Sequence, residues 1–211
     1  MYIDGTIRRY LDDASAGEPT PGGGSVAALA GALGMSMACM AANFTVGRKK
    51  YQKIEPEVRR HLETCAAARE ELLALMDEDT RAYAAVGAAY GMPRETDDQR
   101  AARAEAVQQA LRTAMDCPLR ALRACRRTSE AIAALADMAN PNLISDVGVA
   151  ALLCEAALRA AKLNVEINLR ELKDASLAAA TRAEIDEAAR DAGACARQVM
   201  EKVARAIGGT P

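Results

Sequence analysis

Residues 19–51 read PTPGGGSVAALAGALGMSMACMAANFTVGRKKY, and this stretch decides the fold. No charged residue occurs between Gly22 and Gly47, and the stretch is rich in Ala, Leu and Met, which favour helix. The pattern predicts one long helix over residues 25–46, with Ser25 as its N-cap. A helix that is apolar on every side must be surrounded by protein or by lipid. We interpret it as a buried central helix of a soluble protein, although its length also permits a membrane span.

The turn before this helix combines Pro19 and Pro21 with Gly22, Gly23 and Gly24. The prolines restrict the backbone, and the glycines permit unusual dihedral angles. Two interpretations of the glycines remain open. They allow a ligand, especially an anion, to approach the free N–H groups of the helix, or they allow a tight turn with close helix packing. The spacing matches neither a Walker loop nor a dinucleotide fingerprint.

The length suits one domain, or at most two small ones, and we expect a single domain that spans residues 1–211. Half of the residues are hydrophobic but only 3% are aromatic, so the core must be built from aliphatic side chains packed helix to helix. The net charge of −2 implies no general affinity for nucleic acid. We expect no signal peptide and a cytoplasmic location.

Cysteine and histidine usage points away from disulfide and metal chemistry. The six cysteines contain no CxxC pair, and we expect buried free thiols. The one histidine, His61, is expected on a solvated helix face, and the Glu-x-x-His motif of di-iron bundles is absent. We therefore expect no metal site. The cysteines are Cys39, Cys65, Cys117, Cys125, Cys154 and Cys195.

Apolar periodicity predicts further helices and no strand, which indicates an all-α fold. The first is expected to place Ile3, Ile7, Tyr10 and Leu11 on one side. Pro118 is expected to kink or divide the fourth helix. Ser145 or Asn142 is expected to cap the fifth. The predicted helices besides the first-quoted one cover residues 3–16, 56–90, 97–138, a segment from about 147, and 182–207, followed by a frayed tail over residues 208–211.

Polar residues interrupt two of the apolar stripes. Asp79 lies on the apolar face of the third helix, where a carboxylate costs several kcal/mol unless it is paired or hydrogen-bonded. It is either an internal ion pair or cap for a neighbouring helix, or a site carboxylate in a cleft. Asp146 falls in a first helical turn, where a carboxylate suits the helix dipole. Asn164 and Asn168 share a helix face and form either a polar seam or ligand contacts.

With these segments laid out, the chain resembles the cyclodeaminase/cyclohydrolase family of folate enzymes over nearly its whole length, in collinear order. One departure is Arg48, where members of the family often have Lys, and it keeps the charge. The motifs that carry the resemblance are PTPGGGSVAA (19–28), NFTVGRKKY (43–51), Asp77 and Asp79 ahead of Ala82-Tyr83, Gly91-Met92-Pro93, NPNLISDVGVA (140–150) and NVEIN (164–168).

The resemblance implies a multihelical bundle with two buried central helices, which start at Ser25 and near Val147, and it implies a homodimer. It also implies chemistry on a tetrahydrofolate derivative as substrate, with no permanently bound cofactor. A cyclohydrolase adds water to the methenyl cation, whereas a cyclodeaminase expels ammonia from a formimino group. Since 211 residues leave no room for a formiminotransferase domain, water chemistry is the expectation.

The resemblance, together with the chemistry of the residues, also gives an expected site. Asp146 and Asp79 are the expected catalytic carboxylates, because a carboxylate stabilises the amidinium cation of the methenyl substrate and activates water. Lys49 and Lys50 either hold the glutamate tail or form a solvated helix end. A non-catalytic helical scaffold and a small membrane protein remain as alternatives. The expected substrate-binding set is Gly22, Gly23, Gly24, Ser25, Asn43, Lys49, Lys50, Asn142, Ser145, Asn164 and Asn168.

Overall fold

Six α-helices make up most of residues 1–208, which are the residues that the computed structural model of the chain describes. No strand occurs within residues 1–208, so the all-α prediction is confirmed. Residues 209–211 of the predicted frayed tail lie outside the described part. The helices are α1 (Ile7–Ser15), α2 (Gly23–Asn43), α3 (Glu55–Tyr90), α4 (Asp97–Met138), α5 (Ile144–Glu171) and α6 (Ala175–Ala206), with short 3₁₀ turns at Lys49–Tyr51 and Pro141–Leu143.

Four of these helices form a ring, in which α2 packs on α3, α3 on α4, α4 on α5 and α5 on α2. Helix α6 lies against α4 and α5. Helices α2 and α5 run antiparallel and approach closely through small residues. A Cβ added at Gly34 would lie 3.1 Å from the Cβ of Leu153. At the far end of the pair, the backbone N–H of Asn140 donates to Thr45 Oγ1 over 2.8 Å.

The quoted stretch forms the central helix α2, but one chain does not enclose it on every side. Val26, Leu33 and Phe44 are each about half exposed. The helix is long and apolar enough to cross a membrane, with a mean hydropathy of 1.7, yet 61% of its most apolar window is buried inside the bundle. Length and composition are shared by core helices and membrane spans, so this helix alone is weak evidence for a membrane.

Several predicted helix ends were wrong, some because a local capping residue sets them and some because a tertiary contact does. Helix α1 begins at Ile7 after the capping residue Thr6, and of its predicted apolar face only Tyr10 is buried, whereas Ile3, Ile7 and Leu11 are exposed. Gly22, not Ser25, is the N-cap of α2. Ser25 is fully buried, and its hydroxyl donates to the Met76 carbonyl over 2.9 Å.

Predictions about the breaks and ends of the later helices were also wrong in part. Helix α4 continues through Pro118 and is not divided there. Neither Asn142 nor Ser145 caps α5, because the 3₁₀ turn at Pro141–Leu143 leads directly into that helix. Helix α6 starts at Ala175, well before the predicted residue 182, because Asp174 accepts a hydrogen bond from the Leu177 N–H. Asp146 does lie in the first turn of α5, as predicted.

The cysteines match their prediction and the histidine does not. All six cysteines are free thiols, and all but Cys195 are buried. The side chain of His61 is only 12% exposed, so its prediction as a solvated residue was wrong. Its buried Nε2 has no hydrogen-bond partner among residues 1–208. Burial, followed by the nearby charge of Arg60, lowers the pKa of His61.

Candidate active site

A cavity of about 480 Å³ opens beside the N-terminal end of α2, where α3, α4 and α5 meet it. Sites for small molecules commonly have volumes of roughly 300–1,000 Å³. We call this space the site cavity. It is lined by Pro19, Thr20, Gly22, Gly23, Gly24, Asp79, Tyr83, Val86, Tyr90, Leu111, Ala114, Pro118, Asn164, Ile167, Asn168 and Glu171.

Asp79 packs directly on the backbone of the glycine turn. Its Oδ2 accepts a hydrogen bond from the N–H of Ser25 over 2.9 Å. A Cβ added at Gly24 would lie 2.2 Å from Asp79 Oδ1, a distance that no side chain can occupy. A residue with a side chain at position 24 would therefore displace the carboxylate. The interpretation of the glycines as close packing is supported, and the packing partner is the predicted site carboxylate.

The same carboxylate accepts a hydrogen bond from the first turn of α2 and lines the site cavity. The interpretation as a cap is therefore supported, and the interpretation as a catalytic carboxylate stays a prediction. It accepts from an N–H in the first turn of α2, where the helix dipole favours negative charge. Burial nevertheless raises the pKa of Asp79, and the Ser25 N–H opposes that rise only in part. A carboxyl group whose pKa is raised is better suited to exchange protons near neutral pH.

The charge of the site cavity has one sign. Asp79 and Glu171 are the acidic residues of its lining, and no Lys, Arg or His among the described residues belongs to that lining. The cavity therefore favours a cation over an anion. The alternative that the glycine turn receives an anion is disfavoured, because Asp79 already accepts from Ser25.

Helix α5 contributes two amides to the opposite wall. Asn164 and Asn168 both line the site cavity, and a Cβ added at Gly23 would lie 3.2 Å from the amide of Asn164. Each Nδ2 donates to the carbonyl four residues earlier, over 2.9 and 2.8 Å. The side-chain carbonyl oxygens are the remaining acceptors of these amides. Both residues line a cavity, and Asn164 also packs against Gly23 of α2, so their role as ligand contacts stays a prediction.

Aromatic and apolar side chains form the rest of the wall. Tyr83 and Tyr90 project from α3, and Ile167 from α5. Such side chains offer flat apolar surfaces for a ring system. Neither tyrosine was predicted from the sequence as a site residue, and Glu171 was missed as well. The hydroxyl groups of these two tyrosines, on a stripe of α3 that is otherwise mostly apolar, were the signal that the sequence offered; Glu171 gave none.

The other predicted site residues lie at the far end of the α2–α5 pair. Asp146 is eighteen positions before Asn164 on the same helix, which corresponds to about 27 Å at 1.5 Å per residue. One chain therefore does not bring Asp146 and Asp79 into one pocket. We call the far group the distal cluster, and its members are Asn43, Lys49, Lys50, Asn142, Ser145 and Asp146.

The fold and the cavity together define an all-α protein with an acid-lined site of ligand size. A family model described as formiminotransferase-cyclodeaminase matches residues 6–187. The chain therefore belongs to the formiminotransferase-cyclodeaminase family, which confirms the resemblance inferred from the motifs.

Known relatives include both activities of the expected chemistry. A methenyltetrahydrofolate cyclohydrolase of Methylorubrum extorquens is 40% identical over 94% of this chain and 95% of its own length. The formimidoyltransferase-cyclodeaminase of Rattus norvegicus is 35% identical over 82% of this chain, which covers only 32% of that longer protein. The crystal structure of a formiminotetrahydrofolate cyclodeaminase from Thermotoga maritima superposes with a TM-score of 0.86 at 31% identity and covers 96% of this chain and 97% of the other.

Proposed function

We propose that the chain is a methenyltetrahydrofolate cyclohydrolase, which hydrolyses 5,10-methenyltetrahydrofolate to 10-formyltetrahydrofolate. The observation that carries this proposal is the acidic lining of the site cavity, which contains Asp79 and Glu171 and no Lys, Arg or His among the described residues. The methenyl substrate is an amidinium cation and fits that charge. The similarity to the Methylorubrum enzyme over nearly the full length of both chains supports the same activity.

In this proposal, Asp79 is the general base. A water molecule attacks the methenyl carbon while the carboxylate takes one of its protons, which forms a neutral tetrahedral carbinolamine. The bond from that carbon to N5 then breaks, N5 takes a proton back, and the hydroxyl proton leaves to give the formyl group on N10. The net products are 10-formyltetrahydrofolate and one proton. A carboxyl with a raised pKa suits both the removal and the return of the proton.

The remaining lining residues bind the substrate in this proposal. The amides of Asn164 and Asn168 hold polar edges of the pterin or the one-carbon group, and the turn over Gly22, Gly23 and Gly24 lets the ring approach the backbone. Tyr83 and Tyr90 supply flat apolar surfaces.

The experiment that tests the activity follows the absorbance of the methenyl substrate. We expect it to disappear on addition of the enzyme, with 10-formyltetrahydrofolate as the product. The second candidate, formiminotetrahydrofolate cyclodeaminase, is favoured by the Thermotoga structure of that title. Failure to consume the methenyl substrate, together with release of ammonia from formiminotetrahydrofolate, would reverse the ranking.

The non-catalytic scaffold is the rival from another class. A scaffold gives no reason for a half-buried carboxylate that packs on Gly24 in the wall of a cavity of ligand size. Titration calorimetry with a folate separates the two hypotheses, because a scaffold binds none. Recovery of the protein in a detergent-free soluble fraction, as expected for a cytoplasmic enzyme, would exclude the membrane alternative.

We also propose that the chain works as a homodimer, with a second copy covering the exposed apolar side of α2 and α5. Because α6 covers α5 on its α4 side, the exposed apolar residues of α5 share a side with those of α2. Exposed apolar surface of this extent is typical of an interface. We call it the α2/α5 face, and its members are Val26, Leu33, Phe44, Val149, Leu152, Leu163 and Ile167.

In the proposed dimer, the distal cluster of each chain contributes to the active site of the other chain. A two-fold axis that runs across the α2/α5 face, perpendicular to the helices, sets α2 antiparallel to its copy. The distal cluster of one chain then lies beside the site cavity of the other. In this arrangement Asp146 and Asn142 complete the pocket in trans, with Asn43 and Ser145 next to them. Lys49 and Lys50 hold the anionic glutamate tail outside the acidic cavity.

A charge placed in the α2/α5 face tests the dimer. Sedimentation of the wild type should give twice the mass of the chain, and Leu33→Glu should give the mass of one chain. Glu70→Gln is a control on the exposed side of α3. A wild-type monomer would contradict the proposal.

A further inference from the structure

The N-terminal segment, residues 1–16, contacts Ser25 of the glycine turn through the buried hydroxyl of Tyr10. Tyr10 is only 4% exposed, and its hydroxyl lies 2.9 Å from Ser25 Oγ. Ser25 Oγ in turn lies 2.9 Å from the Met76 carbonyl, which can only accept. The single hydroxyl hydrogen of Ser25 therefore goes to Met76. It follows that Tyr10 donates its own hydrogen to Ser25.

Ser25 links that hydroxyl to the proposed base. Ser25 is fully buried, and its backbone N–H donates to Asp79 Oδ2 over 2.9 Å. The side chain of Ser25 fixes the residue between α1 and α3, and its N–H fixes the carboxylate. Tyr10 is thus one residue removed from Asp79, although no atom of Tyr10 is in the lining of the site cavity.

A second buried carboxylate fastens the N-terminal segment to α3. Asp77 is 5% exposed, and its Oδ1 accepts from the backbone N–H of Tyr2 over 2.8 Å. A buried carboxylate needs such donors to offset its desolvation. The ring of Tyr2 meets that of Tyr10 edge to face, with centroids 5.2 Å apart. Asp77 and Tyr2 thereby hold Tyr10 against Ser25.

We propose that Tyr10 is a positioning residue for the reaction: its hydrogen bond holds Ser25 so that the Ser25 N–H keeps Asp79 ionised and oriented toward the substrate. The proposal rests on Asp79 as the base of the proposed function. Gly24, which also packs against Asp79, has no side chain that could position the carboxylate in place of Ser25.

Titratable groups that face Asp79 could also change its titration, so each of them has to be considered. Tyr10 faces it from α1 and Cys117 from α4, and burial raises the pKa of both, that of Cys117 to about 11. Both are therefore neutral at pH 7. Glu171 of α5 lines the same cavity.

On α3 itself, the neighbours of Asp79 are accounted for as well. Asp77 is hydrogen-bonded to the N-terminal segment, and Glu78 is bound by Arg120 over 2.7 Å. Tyr83 lines the cavity. From α2, the backbone of Gly24 and Ser25 faces the carboxylate.

The test is the pH dependence of kcat/KM and the titration of the Asp79 carboxyl by NMR, both in Tyr10→Phe. Without the Tyr10 hydroxyl, Ser25 is held less firmly and its N–H stabilises the carboxylate less. We expect the pKa of Asp79 to rise and the acid limb of the profile to move to higher pH. We expect kcat at pH 7 to fall about five- to tenfold, the factor that corresponds to one lost buried hydrogen bond.

The matched control is Tyr2→Phe, which removes a hydroxyl that donates to Asp13 over 3.0 Å but keeps the aromatic ring. It should leave the titration of Asp79 unchanged. If Tyr10→Phe does not fold, Ser25→Ala carries the same test, because it removes the hydroxyl and keeps the N–H. A folded Tyr10→Phe or Ser25→Ala enzyme with an unchanged Asp79 pKa overturns the proposal.

The NMR readout keeps this proposal separate from the proposed function. An enzyme that turns over no folate, but whose Asp79 pKa rises in Tyr10→Phe, would retain the positioning role and lose the reaction. An active wild type with the same Asp79 titration in both forms would retain the reaction and lose the positioning role.

Discussion

Single residues at the glycine turn depend on each other, and Gly24 shows this most directly. A Cβ at position 24 would lie 2.2 Å from Asp79 Oδ1 and 2.6 Å from its Cγ. We predict that Gly24→Ala pushes the carboxylate away from the Ser25 N–H and lowers kcat/KM by on the order of a hundredfold or more, the usual contribution of a positioned base. Gly17→Ala is the control, since a Cβ there meets nothing within 4 Å. Wild-type turnover in Gly24→Ala would show that the contact is dispensable.

Asp79 itself should matter for activity and not for stability. Because burial raises its pKa in the folded state, this carboxyl destabilises the fold as pH rises from the unfolded-state pKa through the folded-state pKa. At pH 7 an ionised Asp79 is therefore a cost to stability. We predict that Asp79→Asn lowers kcat by about 10²–10⁴ while Tm at pH 7 stays equal or rises, since the Asn oxygen can still accept from Ser25. Thermal unfolding at pH 7 and pH 4 measures this. A Tm well below that of the wild type at pH 7 would make Asp79 a structural residue.

Whole helices follow from local sequence more reliably than their ends do. Uncharged or apolar periodicity correctly predicted that α2, α3 and α4 exist. The break in the α3 stripe drew attention to Asp79, which lines the site cavity and whose catalytic role stays a prediction. Local caps such as Asp174 set some of the ends that were wrong, and another element sets others: Ser25 is buried against Tyr10 and does not cap α2. The contacts of Asp77 with Tyr2 and of Tyr10 with Ser25 were not predicted, because the residues of each pair are separated in sequence and meet only through tertiary packing.

At the scale of the element, glycines inside helices should divide into two kinds. Gly87 lies on the exposed side of α3, and a Cβ there meets nothing within 4 Å. We predict that Gly87→Ala stabilises the protein by roughly 0.5–1 kcal/mol, because Ala has the higher helix propensity. Gly31 of α2 is the contrast, since its added Cβ would lie 3.0 Å from Leu72 Cδ1 and 3.2 Å from Cys125 Sγ. Gly31→Ala should destabilise, and chemical denaturation compares the two. Equal effects of the two substitutions would contradict this division.

At the scale of the whole molecule, the residues that were predicted to form one site lie in two separate groups within a single chain. Asp79, Asn164 and Asn168 meet at the site cavity, whereas the distal cluster lies at the other end of α2 and α5. A sequence shows which motifs are present, but it does not show whether one subunit or two subunits supply the residues of a pocket. An apolar α2/α5 face between the two groups is what a dimer needs to bring them together.

Mixed dimers test that arrangement. In the proposed dimer, each site takes Asp79 from one chain and Asp146 from the other. We predict that Asp79→Asn and Asp146→Asn are each nearly inactive alone, because every site of such a homodimer lacks one of the two carboxylates. When the two proteins are mixed and allowed to exchange subunits, each mixed dimer has one site with both substitutions and one site with both native aspartates. Activity should therefore reappear on mixing and grow with the fraction of mixed dimers. Asp79→Asn mixed with itself through the same exchange procedure controls for recovery by refolding. If the two aspartates act within one chain, or if Asp146 only favours the start of α5, mixing restores nothing beyond the sum of the separate activities.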